Sequence, residues 1–216
     1  MTIRGKLFAA IALTVLGPLA TIAVALSAFG TLGDRFDDVE RAAAHERRAL
    51  DLKFSVTDMN GWQTAYGYDG GRSRELFVHA AERTEELLGA AERELTVPRE
   101  RALLRELRGA YDAFMALDRD AWNALQAGDP AETKRILLGP ELEHFATMAS
   151  AAEALAAEQR RRAGAAADEF DAARDTARRE LVAVAIGAGV VIVLLLITVQ
   201  DVVRLALERR DERDAA

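Results

Sequence analysis

The chain has 216 residues, half of them hydrophobic, and 28 Lys and Arg against 35 Asp and Glu give it a net charge of −7. Residues 34 to 180 carry the excess, with 22 basic against 30 acidic side chains, which argues against a nucleic-acid partner. Cysteine is absent, so disulfides, thiol catalysis, Cys-attached haem and cysteine metal sites are excluded and the polar part must hold together by packing alone.

Leu7 to Gly33 contains no charge, more than the roughly 20 apolar residues that a helix needs to cross a hydrocarbon core. Arg4 and Lys6 before it and Ala23, Ala25 and Ser27 within it also suit a secretory signal peptide. The apolar stretch exceeds the roughly 7 to 15 residues of such signals, so a retained span is the expectation. Arg4 and Lys6 on one flank and Asp34, Asp37, Asp38 and Glu40 on the other place the N-terminus in the cytoplasm by the positive-inside rule. Gly17, Thr21 and Ala25 form a small-residue stripe in this span, which also contains Pro18.

Beyond the span, few glycines and prolines interrupt helix-forming sequence: Gly70-Gly71, Pro98, Gly128-Asp129-Pro130 and Gly139-Pro140. They predict a first helix from about Asp34 to Tyr68, with Phe36, Ala43, Leu50, Thr57 and Thr64 recurring every seven residues as its inner face. A second helix, Arg72 to Leu95, carries the stripe Phe77, Ala80, Thr84, Leu87, Ala91 and Leu95. The third starts near Pro98, ends at Gly128 and presents Leu103, Leu107, Ala110, Phe114, Leu117, Ala121 and Leu125.

Asp129, Pro130 and Glu132 then form a strong helix start for a short helix to Leu138. After Gly139-Pro140, the stripe Leu142, Phe145, Met148, Ala152, Leu155, Gln159, Ala163, Ala166, Phe170, Ala173 and Ala177 leads into a second uncharged run, Leu181 to Gln200. No proline follows Glu141, and a helix of some 60 residues at ~1.5 Å each would be a rod of about 90 Å, able to carry a displacement across a membrane. Ala183 and Gly187 repeat the small-residue spacing, a dimer signal.

The resulting expectation is an all-α chain, an antiparallel up-down-up-down four-helix bundle with two flanking transmembrane helices. Its parts are a cytoplasmic N-terminus 1–6, a span 7–31, an extracytoplasmic bundle 32–180, a span 181–203 and a cytoplasmic tail 204–216. The layout, together with Asp58-Met59-Asn60-Gly61-Trp62-Gln63-Thr64-Ala65-Tyr66 and the Gly128-Asp129-Pro130 turn, resembles the periplasmic ligand-binding domain of methyl-accepting chemotaxis receptors and related sensor kinases. The resemblance covers residues 1 to 203 and implies a membrane-bound sensor. Chemoreceptors follow the second span with a proline-marked relay domain and a methylated coiled coil, whereas only 16 residues follow Gln200 here. A small complete protein and a truncated receptor or kinase are both compatible with that ending.

At the end of the bundle away from the membrane, polar and aromatic residues of all four helices should converge: Asn60, Trp62, Gln63, Tyr66, Arg72, Arg74, Arg119, Trp122, Asn123 and His144. Aromatic walls with a few directional polar groups suit a small ligand, and arginines suit an anionic one such as a carboxylate. The plainer alternative is that the tryptophans plug the bundle end and the arginines are solvated. His45, His79 and His144 lack the i, i+4 pairing of a zinc helix, so no metal or other cofactor is expected. No nucleophile elbow or phosphate loop occurs, which argues against an enzyme. Expected partners are the lipid bilayer and a second copy or another membrane protein, with a structural or interaction module that binds no small molecule as the rival to a sensor.

Overall fold

The computed structural model describes the backbone of residues 3–214. The side chains of Arg4, Lys6, Arg209, Arg210 and Arg213, in the expected terminal segments, are outside what the structure describes. Among the described residues there are five helices: α1 Ile3–Asp69, α2 Arg74–Glu94, α3 Pro98–Gln126, α4 Pro130–Leu137 and α5 Pro140–Asp214. No strand occurs among the described residues, so the chain is all-α.

Glycine geometry explains where the helices stop. Gly70 and Gly71 have φ of +71° and +92°, and the Gly71 amide donates back to the Tyr66 carbonyl at 2.8 Å, closing the end of α1. Gly128, at φ +75°, ends α3 in the same way, with the Asp129 amide donating to the Ala124 carbonyl at 3.0 Å. Asp129 then caps α4 by accepting from the Glu132 amide at 2.9 Å, and Pro130 occupies the first turn as expected.

The residues form two compact units, one from Val39 to Ala166 and the other from those up to Asp38 with those from Ala167 on. In the first, a single core joins Leu52, Val56, Met59, Phe77, Leu88, Leu104, Leu107, Phe114, Met148 and Leu155, each 2 % exposed or less. Ile136 and Leu137 of α4 pack with Ala121 and Leu117 of α3 in a smaller cluster. Across the unit, Ser55 meets Thr84 and Arg48 meets Glu94, while Glu46 pairs with Arg160 and Lys53 with Glu153. Arg108 pairs with both Glu85 and Glu92, and Arg162 reaches Glu100.

The inner faces of α2, α3 and α5 largely follow the expected stripes, whereas that of α1 does not. Ala49, Leu52, Val56, Met59, Gln63 and Tyr66 are buried, in alternating steps of three and four, while Thr57 and Thr64 face outward. Their hydroxyls donate to the Lys53 and Asn60 carbonyls of their own helix. Phe36 belongs to the other unit, where it meets Phe170 edge-on at 6.2 Å, so a seven-residue repeat begun from it set the wrong face.

In the second unit, Arg35 donates to Glu169 at 2.6 Å, and Ala28 and Ala177 are buried. An apolar cleft of about 600 Å³ brings Gly17, Pro18 and Thr21 of α1 opposite Val184, Gly187 and Val191 of α5. α1 continues through Pro18, and the Thr21 hydroxyl donates to the Gly17 carbonyl at 3.0 Å. Most large apolar side chains of this unit are exposed, among them Leu19, Ile22, Leu26, Ile186, Leu194 and Ile197. Among the described residues, two helices are long and apolar enough to cross a membrane.

Candidate functional site

Gln63 and Tyr66 lie one turn apart near the end of α1, and Arg74 opens α2 with Phe77 one turn later. Asp118 and Trp122 are four residues apart on α3, and Glu141 is the second residue of α5. These positions converge on the Asp118 carboxylate, which is fully buried. Arg74 donates to it twice, Nη1 to Oδ1 at 2.6 Å and Nη2 to Oδ2 at 2.8 Å. The Tyr66 hydroxyl donates to Oδ1 at 2.6 Å and the Gln63 amide approaches the same oxygen at 3.5 Å.

The face of the Arg74 guanidinium is as fully engaged as its edge. Its central carbon sits 4.8 Å from the Tyr66 ring centre, 4.7 Å from Phe77 and 4.9 Å from Trp122. Tyr66 meets Phe77 and Trp122 edge-on, each at 5.6 Å, so the three rings form a cage around the cation. Burial works against the charge of Arg74, but the hydrogen bonds and charge of Asp118 outweigh it and raise the guanidinium above its usual range. Burial, with the nearby Asp118 charge and hydrogen bond, pushes the Tyr66 hydroxyl far up.

Glu141 has the opposite supply of partners. It is fully buried, its Oε1 accepts only from Gln63 Nε2, and its Oε2 has no partner. Burial, reinforced by the Asp118 charge and opposed by Arg74, pushes its carboxyl up to about 8. The Gln63 amide thus bridges the two buried acids through its two N–H groups. Proton exchange at Glu141 is the chemistry this arrangement offers.

Of the ten expected site residues, Gln63, Tyr66, Arg74 and Trp122 come together around Asp118. Trp62 is half-buried against the core, and Asn60 and His144 are half-buried. Arg72, Arg119 and Asn123 are exposed, with Arg72 Nε donating to the Asp69 carbonyl at 3.0 Å. Asp118 and Glu141 escaped the sequence reading. A signal for Asp118 was present, because it falls between Phe114 and Ala121 on the apolar stripe of α3, where a charge needs a partner.

A second buried polar layer lies elsewhere in the same unit. Glu100 is fully buried and accepts from Arg162 at 2.5 Å through Oε1, while its Oε2 and the Nε2 of buried Gln159 have no partner. His45 is lowered by burial, then by the charge of Arg48. Beside Arg74, a groove of about 450 Å³ is floored by Phe77, Ala81, Tyr111 and Met115 and edged by Glu82 and Glu85. Among the described residues no group of three His, Asp or Glu side chains is arranged to hold a metal. No protein-family model, characterised protein or solved structure matches the chain.

Proposed function

We propose that the chain is a two-span membrane sensor module, chemoreceptor-like in plan, whose antiparallel four-helix bundle lies outside the cytoplasm and passes a change of state along α5. The observation that carries this reading is the Asp118 cluster, where α1, α2, α3 and the first turn of α5 meet through buried hydrogen bonds. A stimulus altering that cluster acts directly on the helix that continues into the second apolar run. The pairings of Arg48 with Glu94, Glu46 with Arg160 and Arg162 with Glu100 support the antiparallel arrangement, since low positions on one helix meet high positions on the next. The long apolar stretches of α1 and α5 support two spans, with both termini cytoplasmic and a second copy or another membrane protein as the receiver of the signal.

One observation favours the rival reading, a membrane-anchored interaction module with no small ligand. Arg74 fills the aromatic cage itself, leaving a carboxylate ligand the exposed Arg72, Arg119 and Asn123 instead. The chain in lipid nanodiscs, screened by calorimetry against amino and organic acids, discriminates the two. Saturable binding that is lost in Arg72→Ala with Arg119→Ala supports the sensor of an anionic ligand. No binding, with a stable membrane-protein complex recovered by cross-linking, supports the module. Single cysteines are clean reporters in a cysteine-free chain. Thr96→Cys labelled by an impermeant maleimide in intact cells is the outcome expected for an exported bundle, and labelling only after lysis overturns that topology.

A further inference from the structure

The Asp118 cluster holds two buried acids and one guanidinium, and the guanidinium is committed to one of them. Both terminal nitrogens of Arg74 point at Asp118, so Arg74 cannot turn to Glu141 without abandoning that pair. Asp118 receives four donors and Glu141 one. The free amides at a helix start favour an anion, yet none of them reaches Glu141 Oε2. A second negative charge here would have only the Gln63 amide, already shared with Asp118, to stabilise it.

We propose that the Asp118–Gln63–Glu141 bridge is a proton-operated latch: a proton on Glu141 holds the first turn of α5 against α1 and α3, and its loss releases that turn. Burial and the Asp118 charge hold the proton on Glu141 up to about pH 8. The groups facing it come from every helix in the cluster: Gln63 and Tyr66 from α1, Arg74 from α2 and Asp118 from α3. Glu143 and His144 follow it on α5. The α4 cations are engaged elsewhere, Lys134 over the Tyr68 ring at 5.7 Å and Arg135 with Glu132 at 2.6 Å.

Deprotonation balances simply. The proton passes to solvent, Glu141 becomes a carboxylate, and the Gln63 amide then lies between two like charges whose repulsion water must enter to relieve. That α5 carries the release onward rests on the sensor reading above, whereas the latch itself does not.

Trp122 is a built-in reporter, because it packs on both Tyr66 and Arg74 and is one of two tryptophans. In the full chain in lipid nanodiscs, Trp62→Phe leaves it alone. Its emission is expected to follow a sigmoid between about pH 6 and about 9.5 with its midpoint near 8. Glu141→Gln, which imitates the protonated acid, is expected to flatten the curve. In the parent protein the infrared band of a protonated carboxyl should disappear at the same midpoint, a readout that needs no variant. A flat parent curve, an unchanged midpoint in Glu141→Gln, or no carboxyl band lost near that pH overturns the latch. If the latch titrates while spin labels on the two spans keep their distance, the latch stands and transmission along α5 is overturned.

Discussion

Arg74 meets Asp118 through two parallel hydrogen bonds of 2.6 and 2.8 Å while three aromatic rings surround the same guanidinium. Asp118 is fully buried and the Arg74 side chain is 20 % exposed, so solvent screens the pair weakly. Arg74→Ala is therefore expected to cost about 3–5 kcal/mol in urea denaturation, most of it from the carboxylate left behind. Replacing both partners, Arg74→Met with Asp118→Leu, should cost less than Arg74→Ala alone. Arg74→Lys should fall between, because an ammonium offers neither the planar face nor the parallel pair. Equal losses for the single and double variants would contradict this account.

Gly70 and Gly71 separate backbone strain from collision. A methyl group at Gly70 meets nothing within 4 Å, whereas at Gly71 it would stand 2.9 and 3.0 Å from Trp122 ring atoms. Both backbones are left-handed, with φ of +71° and +92°. Gly70→Ala should cost about 1–2 kcal/mol from strain, and Gly71→Ala should exceed it by about 1–3 kcal/mol, the range for overpacking. Thermal denaturation of both variants checks the order. Trp122→Leu combined with Gly71→Ala should lose less than the two separate losses added.

The turns were legible in the sequence because their chemistry is local: Gly128, Asp129 and Pro130 define a helix end, a cap and a first turn within three residues. The inner faces of α2 and α3 were legible because apolar residues such as Phe77, Leu88, Leu107 and Phe114 recur often enough to set the face despite Thr84 and Asp118 on it. α1 misled because its buried face includes Ser55 and Gln63, whose partners Thr84 and Glu141 lie on other helices, while exposed Thr57 and Thr64 fit the period equally well. Convergence of Gln63, Tyr66, Arg74 and Trp122 followed from counting helix ends. The acids between them did not, because a buried charge is specified by partners distant in sequence: Asp118 meets Tyr66 across 52 residues and Glu141 meets Gln63 across 78.

Ser55 and Thr84 form a buried hydroxyl pair at 2.7 Å between α1 and α2. The Thr84 hydroxyl already donates to the Ala80 carbonyl at 2.8 Å, so the hydrogen between the two side chains comes from Ser55. Thr84→Val keeps the shape but leaves Ser55 without an acceptor, at an expected cost of about 1–3 kcal/mol. Adding Ser55→Ala should recover part of that loss, since both polar groups are then gone. A double-mutant cycle in urea measures the coupling, and strictly additive costs would remove the pair from the list of stabilising contacts.

Glu141 makes the stability of the fold depend on pH in a direction opposite to ordinary acids. Folded, it keeps its proton up to about pH 8, and unfolded it returns to the ordinary glutamate value of 4.5. Between those values the folded chain binds one proton more than the unfolded chain, so stability is full below 4.5, falls as pH rises and levels off above about 8. One proton limits the slope to about 1.4 kcal/mol per pH unit. His45 acts in the reverse sense, because its lowered value leaves the unfolded chain binding more protons, chiefly below the ordinary histidine value of 6.5. Asp69, Glu132 and Glu158, all lowered, contribute stability that is lost only as pH falls below the ordinary carboxylate values of 3.8 and 4.5. The interval from about 7 to about 8 is therefore governed by Glu141 among those groups. Urea midpoints there should fall with rising pH in the parent protein and stay level in Glu141→Gln, and parallel slopes in the two would place the proton on another group.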